Sequence, residues 1–220
     1  AALSDSSGAS DVPLSPLRRM WRIVRDRLVD LVLIAFVGLH MGIAASFCAV
    51  YMLDELGGSN FWVGFSLTLQ AAIEVPLFRL STRILGALGH RSALLSCSLA
   101  ATIRLGGYAL ASAPVAVLPG ELGHGWSFAI AYSAIAAMSG EYAAIGLQAT
   151  AVGILNGVLQ FGQLSAIGIG GVVADAVGMR DMFRVTTCGF AVIALPLLFS
   201  APECSTYLVR RLLHSCRRGG

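Results

Sequence analysis

Apolar residues in this chain come in long unbroken runs, not in the alternating or 3.6-residue stripes of half-buried elements. Six runs stand out, each bounded by charge or by Gly and Pro: Leu28–Leu53, Phe61–Arg79, Ser92–Ser112, Val115–Ser139, Gly146–Ala174 and Val185–Ala201. A hydrocarbon layer about 30 Å thick takes roughly 20 apolar residues of helix, because a spanning segment must satisfy its own backbone polar groups. The runs approach or exceed that length and are joined by short connections. They predict an all-α membrane protein with six transmembrane helices. Alternating strands of about ten residues are absent, which argues against a β-barrel.

Three segments follow from this pattern: a polar and basic stretch over 1–27, the helical bundle over 28–201 and a basic tail over 202–220. The first seventeen residues are mainly Ser, Asp, Ala and Pro without the apolar core of a signal peptide. They read as a processed mature end or as a linker to something upstream.

Composition agrees with the runs. Hydrophobic residues make up 56% of the chain and charged ones 12%, about half the charged share of a soluble domain, so lipid and not water is the solvent for most of it. Cysteines 48, 97, 188, 204 and 216 have neither C-x-x-C nor metal-ligand spacing, so they read as small apolar fillers. No metal and no cofactor is expected.

The fifteen basic residues are all Arg, and their placement orients the bundle, because cytoplasmic loops retain basic residues while acidic ones count for little. Arg18, Arg19, Arg22, Arg25 and Arg27 precede the first run, Arg79, Arg83 and Arg91 flank the second connection, and Arg210, Arg211, Arg217 and Arg218 fill the tail. If the spans alternate, these twelve fall on one side. Arg180 and Arg184 fall on the other, in a loop with Asp175 and Asp181, while Asp54 and Glu55 occupy another outer loop. Both termini are therefore expected in the cytoplasm, in a plasma membrane or an organelle inner membrane. The Gly140–Ile145 connection is the exception, since it should be cytoplasmic yet carries only Glu141. With the arginines at the ends of runs and not gathered in a patch, nucleic acid is not an expected partner.

Ionisable groups inside a span cost roughly 2.5 kcal/mol or more at the helix centre, so they face a partner or a cavity. Glu74 lies in the second run, Arg104 in the third, and Glu121 with His124 in the fourth. Helical spacing puts Gln70 beside Glu74 and Glu121 beside His124. Depth, at about 1.5 Å per residue, brings Arg104 first to Glu121 or His124. Glu74 lies nearer the cytoplasm, within reach only if the second span begins earlier than Phe61. A carboxylate that exchanges an arginine for a proton is the chemistry of proton-coupled transport. A fixed structural pair is the alternative.

Asn156, Gln160 and Gln163 form one polar stripe along the fifth run, either lining a polar path or bonding neighbouring helices. His40 reads as a packing histidine. Gly153-x-x-x-Gly157 and the Gly168, Gly170, Gly171 group read as close helix contacts. The latter lacks the spacing and preceding strand of a dinucleotide fingerprint.

Taken in order, Glu74-Val-Pro76, Gly89-His90-Arg91, a lone Arg104, His124 and Gly171-Val-Val-Ala-Asp175-Ala-Val-Gly178 resemble the C-terminal six-helix half of a major facilitator superfamily transporter. The branch is that of the lactose permease and related proton symporters. The resemblance covers most of residues 28–201. It implies half of that fold, and roles in the substrate and proton pathway for Gln70, Glu74, Arg104, Glu121, His124, Asn156, Gln160 and Gln163. It also implies structural roles for Pro76, Gly89, Arg91, Gly171, Asp175 and Gly178. Arg104 and His124 match the pattern in place, and Glu74 lies about one turn from its carboxylate. The second carboxylate, one turn after the histidine, is replaced by Ser127, and Glu121 precedes His124 instead.

Members of that superfamily have two such halves with the substrate site between them near the midplane. The resemblance thus implies a half-transporter for a small polar solute, sugar-like or nucleoside-like, completed by a second copy or by a missing upstream half. The competing expectation is an accessory subunit held among other membrane proteins, without transport of its own and with a collapsed interior. Enzymatic activity is not expected, because H-E-x-x-H, G-x-S-x-G and P-loop patterns are all absent.

Overall fold

Helix persists wherever the sequence stays apolar, and it breaks where glycine supplies a backbone angle that other residues avoid. The computed structural model describes residues 16–143 and 146–200. The basic tail with Arg210, Arg211, Arg217 and Arg218, the first fifteen residues and the end of the sixth run at Ala201 lie outside the described residues. The α-helices are α1 (Pro16–Asp26), α2 (Leu28–Val50), α3 (Asn60–Leu88), α4 (His90–Leu110), α5 (Leu118–Gly140), α6 (Gln148–Val177) and α7 (Met179–Ser200). A π-helical turn, Tyr51–Glu55, prolongs α2, and a 3-10 turn, Pro114–Val117, leads into α5. No strand occurs among the described residues.

Four stretches are long and apolar enough to cross a membrane: Leu28–Glu55, α3, α4 and α6. The protein is all-helical and membrane-embedded. Helix α5 is not among the four. It carries Glu121, His124 and several Gly and Ser residues, yet it buries Ala129, Ile130, Ala134, Ile135 and Met138 in the bundle.

Two expectations about the ends of the runs are corrected. The sequence pattern ends the second run at Arg79, but α3 continues through Pro76 and past Arg79 and Arg83, both exposed, to Leu88. The same pattern puts residues 175–184 in a loop, but they are helical on either side of Gly178. The true breaks are Gly89 at φ 75° and Gly178 at φ 87°, a left-handed backbone that costs any residue with a Cβ. Both joints are built alike. The amide of Gly89 bonds the carbonyl of Leu85 and that of Gly178 the carbonyl of Ala174, each at 2.8 Å, and each glycine is followed two residues on by an arginine, Arg91 or Arg180.

Among the packed pairs, α2 lies along α6 and α3 along α5. Backbone contact draws the first pair together: a Cβ at Gly38 would lie 2.3 Å from the Leu159 carbonyl oxygen, and one at Gly162 would lie 2.4 Å from that of Ala35.

At the basic end, the Asp30 carboxylate is buried and accepts from Arg27 Nη1 at 3.2 Å and Arg91 Nε at 2.9 Å. Glu141 pairs with Arg27 and lies 3.4 Å from His90 Nε2. The arginine-free Gly140–Ile145 connection therefore begins on the same face as Arg27 and Arg91. At the opposite end, Arg180 donates to the Tyr51 hydroxyl and to the Ala111 carbonyl, both at 3.1 Å, tying α7 to the ends of α2 and α4.

Candidate functional site

The charges inside the apolar runs converge between α3, α4 and α5. Arg104 is 4% exposed and Glu121 fully buried. Their salt bridge runs from Nη2 to Oε2 at 2.7 Å. The same guanidinium donates through Nη1 to His124 Nδ1 at 2.9 Å and through Nε to the Tyr108 hydroxyl. Tyr108 in turn donates its hydroxyl proton to Glu121 Oε1 at 2.6 Å, and Gln70 Nε2 donates to Glu121 Oε2 at 2.7 Å. The Cys48 thiol lies 3.8 Å from Oε1. Glu121 thus meets donors on both oxygens, and each takes up a lone pair, a demand the ionised carboxylate satisfies in full.

His124 links this cluster to the second carboxylate. Arginine has no acceptor, so Nδ1 of His124 must offer its lone pair to Arg104, and the ring proton belongs on Nε2. Nε2 lies 3.2 Å from Glu74 Oε1. The ring is therefore neutral, holding Arg104 with one nitrogen and Glu74 with the other. Glu74 has 21% of its side chain exposed, against 13% for His124.

Glycines on α5 let the neighbouring elements close in. A Cβ at Gly125 would sit 2.6 Å from Ile73 Cγ2 on α3, and one at Gly123 would sit 2.9 Å from the Ala100 carbonyl oxygen on α4. In the segment Gly120-Glu121-Leu122-Gly123-His124-Gly125 the acid and the histidine are thus interleaved with the residues that admit their partners. A cleft of about 100 Å³ borders the cluster between α2 and α3. Arg104, Gln70, Ser66 and Cys48 lie on its wall with Ala44, Ala45 and Ala49. It has room for several waters.

Of the expected site residues, Gln70, Glu74, Arg104, Glu121 and His124 come together. Asn156, Gln160 and Gln163 do not join them. Asn156 bonds the Val152 carbonyl one turn back on its own helix, Gln160 is exposed and Gln163 is half-buried. Ser127, which stands where the resemblance implies a second carboxylate, is tied to the carbonyls of Cys97 and Gly123 at 3.0 and 2.8 Å. His40 is buried, its Nδ1 2.7 Å from the Phe36 carbonyl and its Nε2 3.0 Å from the Thr102 hydroxyl. Among the implied structural residues, Pro76 lies inside α3, Gly89 and Gly178 form the two joints and Arg91 holds Asp30. Gly171 borders open space, since a Cβ there would meet nothing within 4 Å, and Asp175 is exposed.

Tyr108 is missing from the sequence reading, and Cys48 appears there only as an apolar filler. Tyr108 sits four residues after Arg104, on the same helix face, and the spacing that pairs Gln70 with Glu74 also points to it. Cys48 comes from another helix and has no local signal. Residues 6–185 match the model of the MFS_1 like family. No curated protein matches the chain.

Proposed function

The chain belongs to the MFS_1 like family, and from that premise we propose that it is one six-helix half of a secondary active transporter that moves a small polar solute, sugar-like or nucleoside-like, with a proton. In this reading six helices span the membrane, both ends of the chain face the cytoplasm, and a second half completes the solute path. The membrane is a plasma membrane or an organelle inner membrane. The chain catalyses no covalent chemistry.

One observation carries the proposal: a continuous hydrogen-bonded line from Glu74 through His124 and Arg104 to Glu121, buried in the bundle and bordering a cleft. Keeping these charges in a membrane costs several kcal/mol. A purely structural pair needs only Arg104 and Glu121. The added histidine and the half-open Glu74 give the line a movable end. A proton on Glu74 would weaken its hold on His124 Nε2–H, freeing the ring to turn and release Arg104 Nη1 toward a solute hydroxyl. The accessory-subunit alternative expects a collapsed interior, whereas Arg104 and Gln70 border open space.

The test is uptake by vesicles containing the complete transporter, assayed with a panel of radiolabelled hexoses, disaccharides and nucleosides, with and without an imposed pH gradient. Arg104→Ala is expected to abolish uptake. Glu74→Gln should retain exchange of solute at equilibrium but lose accumulation driven by the gradient. Uptake unchanged by Arg104→Ala overturns the assignment.

A further inference from the structure

We propose that Phe183 on α7 is a positioning residue for the hydrogen-bonded line, coupling a clasp at one end of the bundle to the Arg104–Glu121 pair. The inference rests on that line being the transport site, and it starts from packing. Tyr51, Tyr108 and Phe183 are the three largest fully buried side chains among the described residues, and they meet in one stack. Phe183 stands edge to face with both tyrosines, its ring centroid 5.2 Å from that of Tyr51 and 5.4 Å from that of Tyr108. Rings packed at interior density have no room to shift singly, so a displacement of one passes to the next.

The two tyrosine hydroxyls face different tasks. That of Tyr108 accepts from Arg104 Nε and donates to Glu121 Oε1 at 2.6 Å. That of Tyr51 accepts from Arg180 Nε at 3.1 Å, while Arg180 Nη2 donates to the Ala111 carbonyl at 3.1 Å. Arg180 and Phe183 lie three residues apart on α7 and share a face, so guanidinium and ring act on Tyr51 together. The clasp has a second point of hold, because Glu55 accepts from the Met179 amide at 3.1 Å, at the helix end whose dipole favours a carboxylate. Tyr51 and Glu55 begin and end the π-helical turn, a local geometry found often at functional positions.

Releasing the clasp frees Tyr51, lets Phe183 follow and draws the Tyr108 hydroxyl from between Arg104 and Glu121. Glu121 Oε1 then loses its 2.6 Å donor and Arg104 Nε its acceptor, so the pair loosens. With the clasp closed, the same stack holds Tyr108 in place and the pair stays fully bonded. The turn that carries Tyr51 also carries Met52 on the wall of the cleft, so the clasp acts on the cleft and on the charges beside it at once.

Fluorine NMR of the full chain in nanodiscs, with meta-fluorotyrosine incorporated in place of Tyr108, reads that side chain with no solute present. Arg180→Gln and Tyr51→Phe open the clasp from its two sides, keep the Phe183 ring and alter no group bonded to Tyr108. Each is expected to shift the resonance, and in the same direction. In a Phe183→Leu background Arg180→Gln should shift it no further, because the link is already cut. Phe190→Leu, on the same helix but packed against His40, should leave it in place. A clasp that only stabilises the fold would lower the unfolding midpoint and leave the folded resonance unmoved. A resonance indifferent to both Arg180→Gln and Tyr51→Phe overturns the coupling. So does an Arg180→Gln shift that persists without the Phe183 ring, or one matched by Phe190→Leu. Failed uptake by wild-type vesicles, by contrast, overturns the transport reading and not the coupling.

Discussion

Arg104 and Glu121 show how strongly a buried charge depends on its partner. Arg104 places three donors on Glu121, His124 and Tyr108, and Glu121 is fully enclosed. Removing one member of a buried pair leaves the other charge uncompensated at a cost of about 3–5 kcal/mol, while replacing both by apolar groups is often close to neutral. Arg104→Met and Glu121→Met should each destabilise the protein on that scale. The double variant should cost less than either single variant, far below their sum. Denaturant unfolding in detergent measures this cycle, and strictly additive costs would mean that the two side chains do not share one network. The pair is legible in sequence because lipid makes a lone charge conspicuous. Tyr108 is not, since tyrosine is unremarkable in an apolar helix and only its hydroxyl, placed between Arg104 and Glu121, joins it to the site. The amides of α6 mark a helix face, but a period alone does not say which helix that face meets.

At the scale of elements, glycine spacing is a poor guide to which helices touch. Gly153, Gly157, Gly168 and Gly171 read as close contacts in sequence, yet a Cβ at each would meet nothing within 4 Å. Gly170 alone of that set lies against a neighbour, the Phe47 ring. The close approach of α2 and α6 uses Gly38, Gly42 and Gly162 instead. A small-residue motif permits approach but does not compel it, and the partner face is set by tertiary packing. The difference is measurable. Gly38→Ala or Gly162→Ala pushes a methyl into a carbonyl oxygen and should cost about 1–3 kcal/mol in unfolding free energy. Gly153→Ala and Gly157→Ala should be neutral or stabilise by up to about 1 kcal/mol, because alanine loses less backbone freedom in a helix. Equal losses at all four positions would show that the open side of α6 is occupied by something that penetrates to its backbone.

Seen whole, the long helices are readable because a helix in lipid must satisfy its own backbone and therefore announces itself as an apolar run, as the four stretches long and apolar enough to cross a membrane do. Their ends are less so, since α3 extends past the exposed Arg79 and Arg83 and α7 begins before Arg180, Asp181 and Arg184. The folded chain also leaves two long faces unpacked. Helix α3 exposes Phe61, Phe65, Leu67 and Val75, and α6 exposes Phe161, Leu164, Ile167 and Val172. Lipid can cover such faces, but the proposed transporter half would need a counter-surface for its cleft, and α3 supplies both the cleft wall at Ser66 and Gln70 and the open face beside it. If a second copy provides that surface, the protein particle in nanodiscs should weigh about twice the 23.0 kDa of the chain. In a background lacking Cys188, Cys204 and Cys216, cysteines at Phe65 or Leu164 should then join two chains with a short bifunctional reagent. A cysteine at Ile103, 67% exposed on α4, should not. A particle of single-chain mass that still accumulates solute, or cross-linking as strong from Ile103 as from α3 and α6, would refute pairing through these faces.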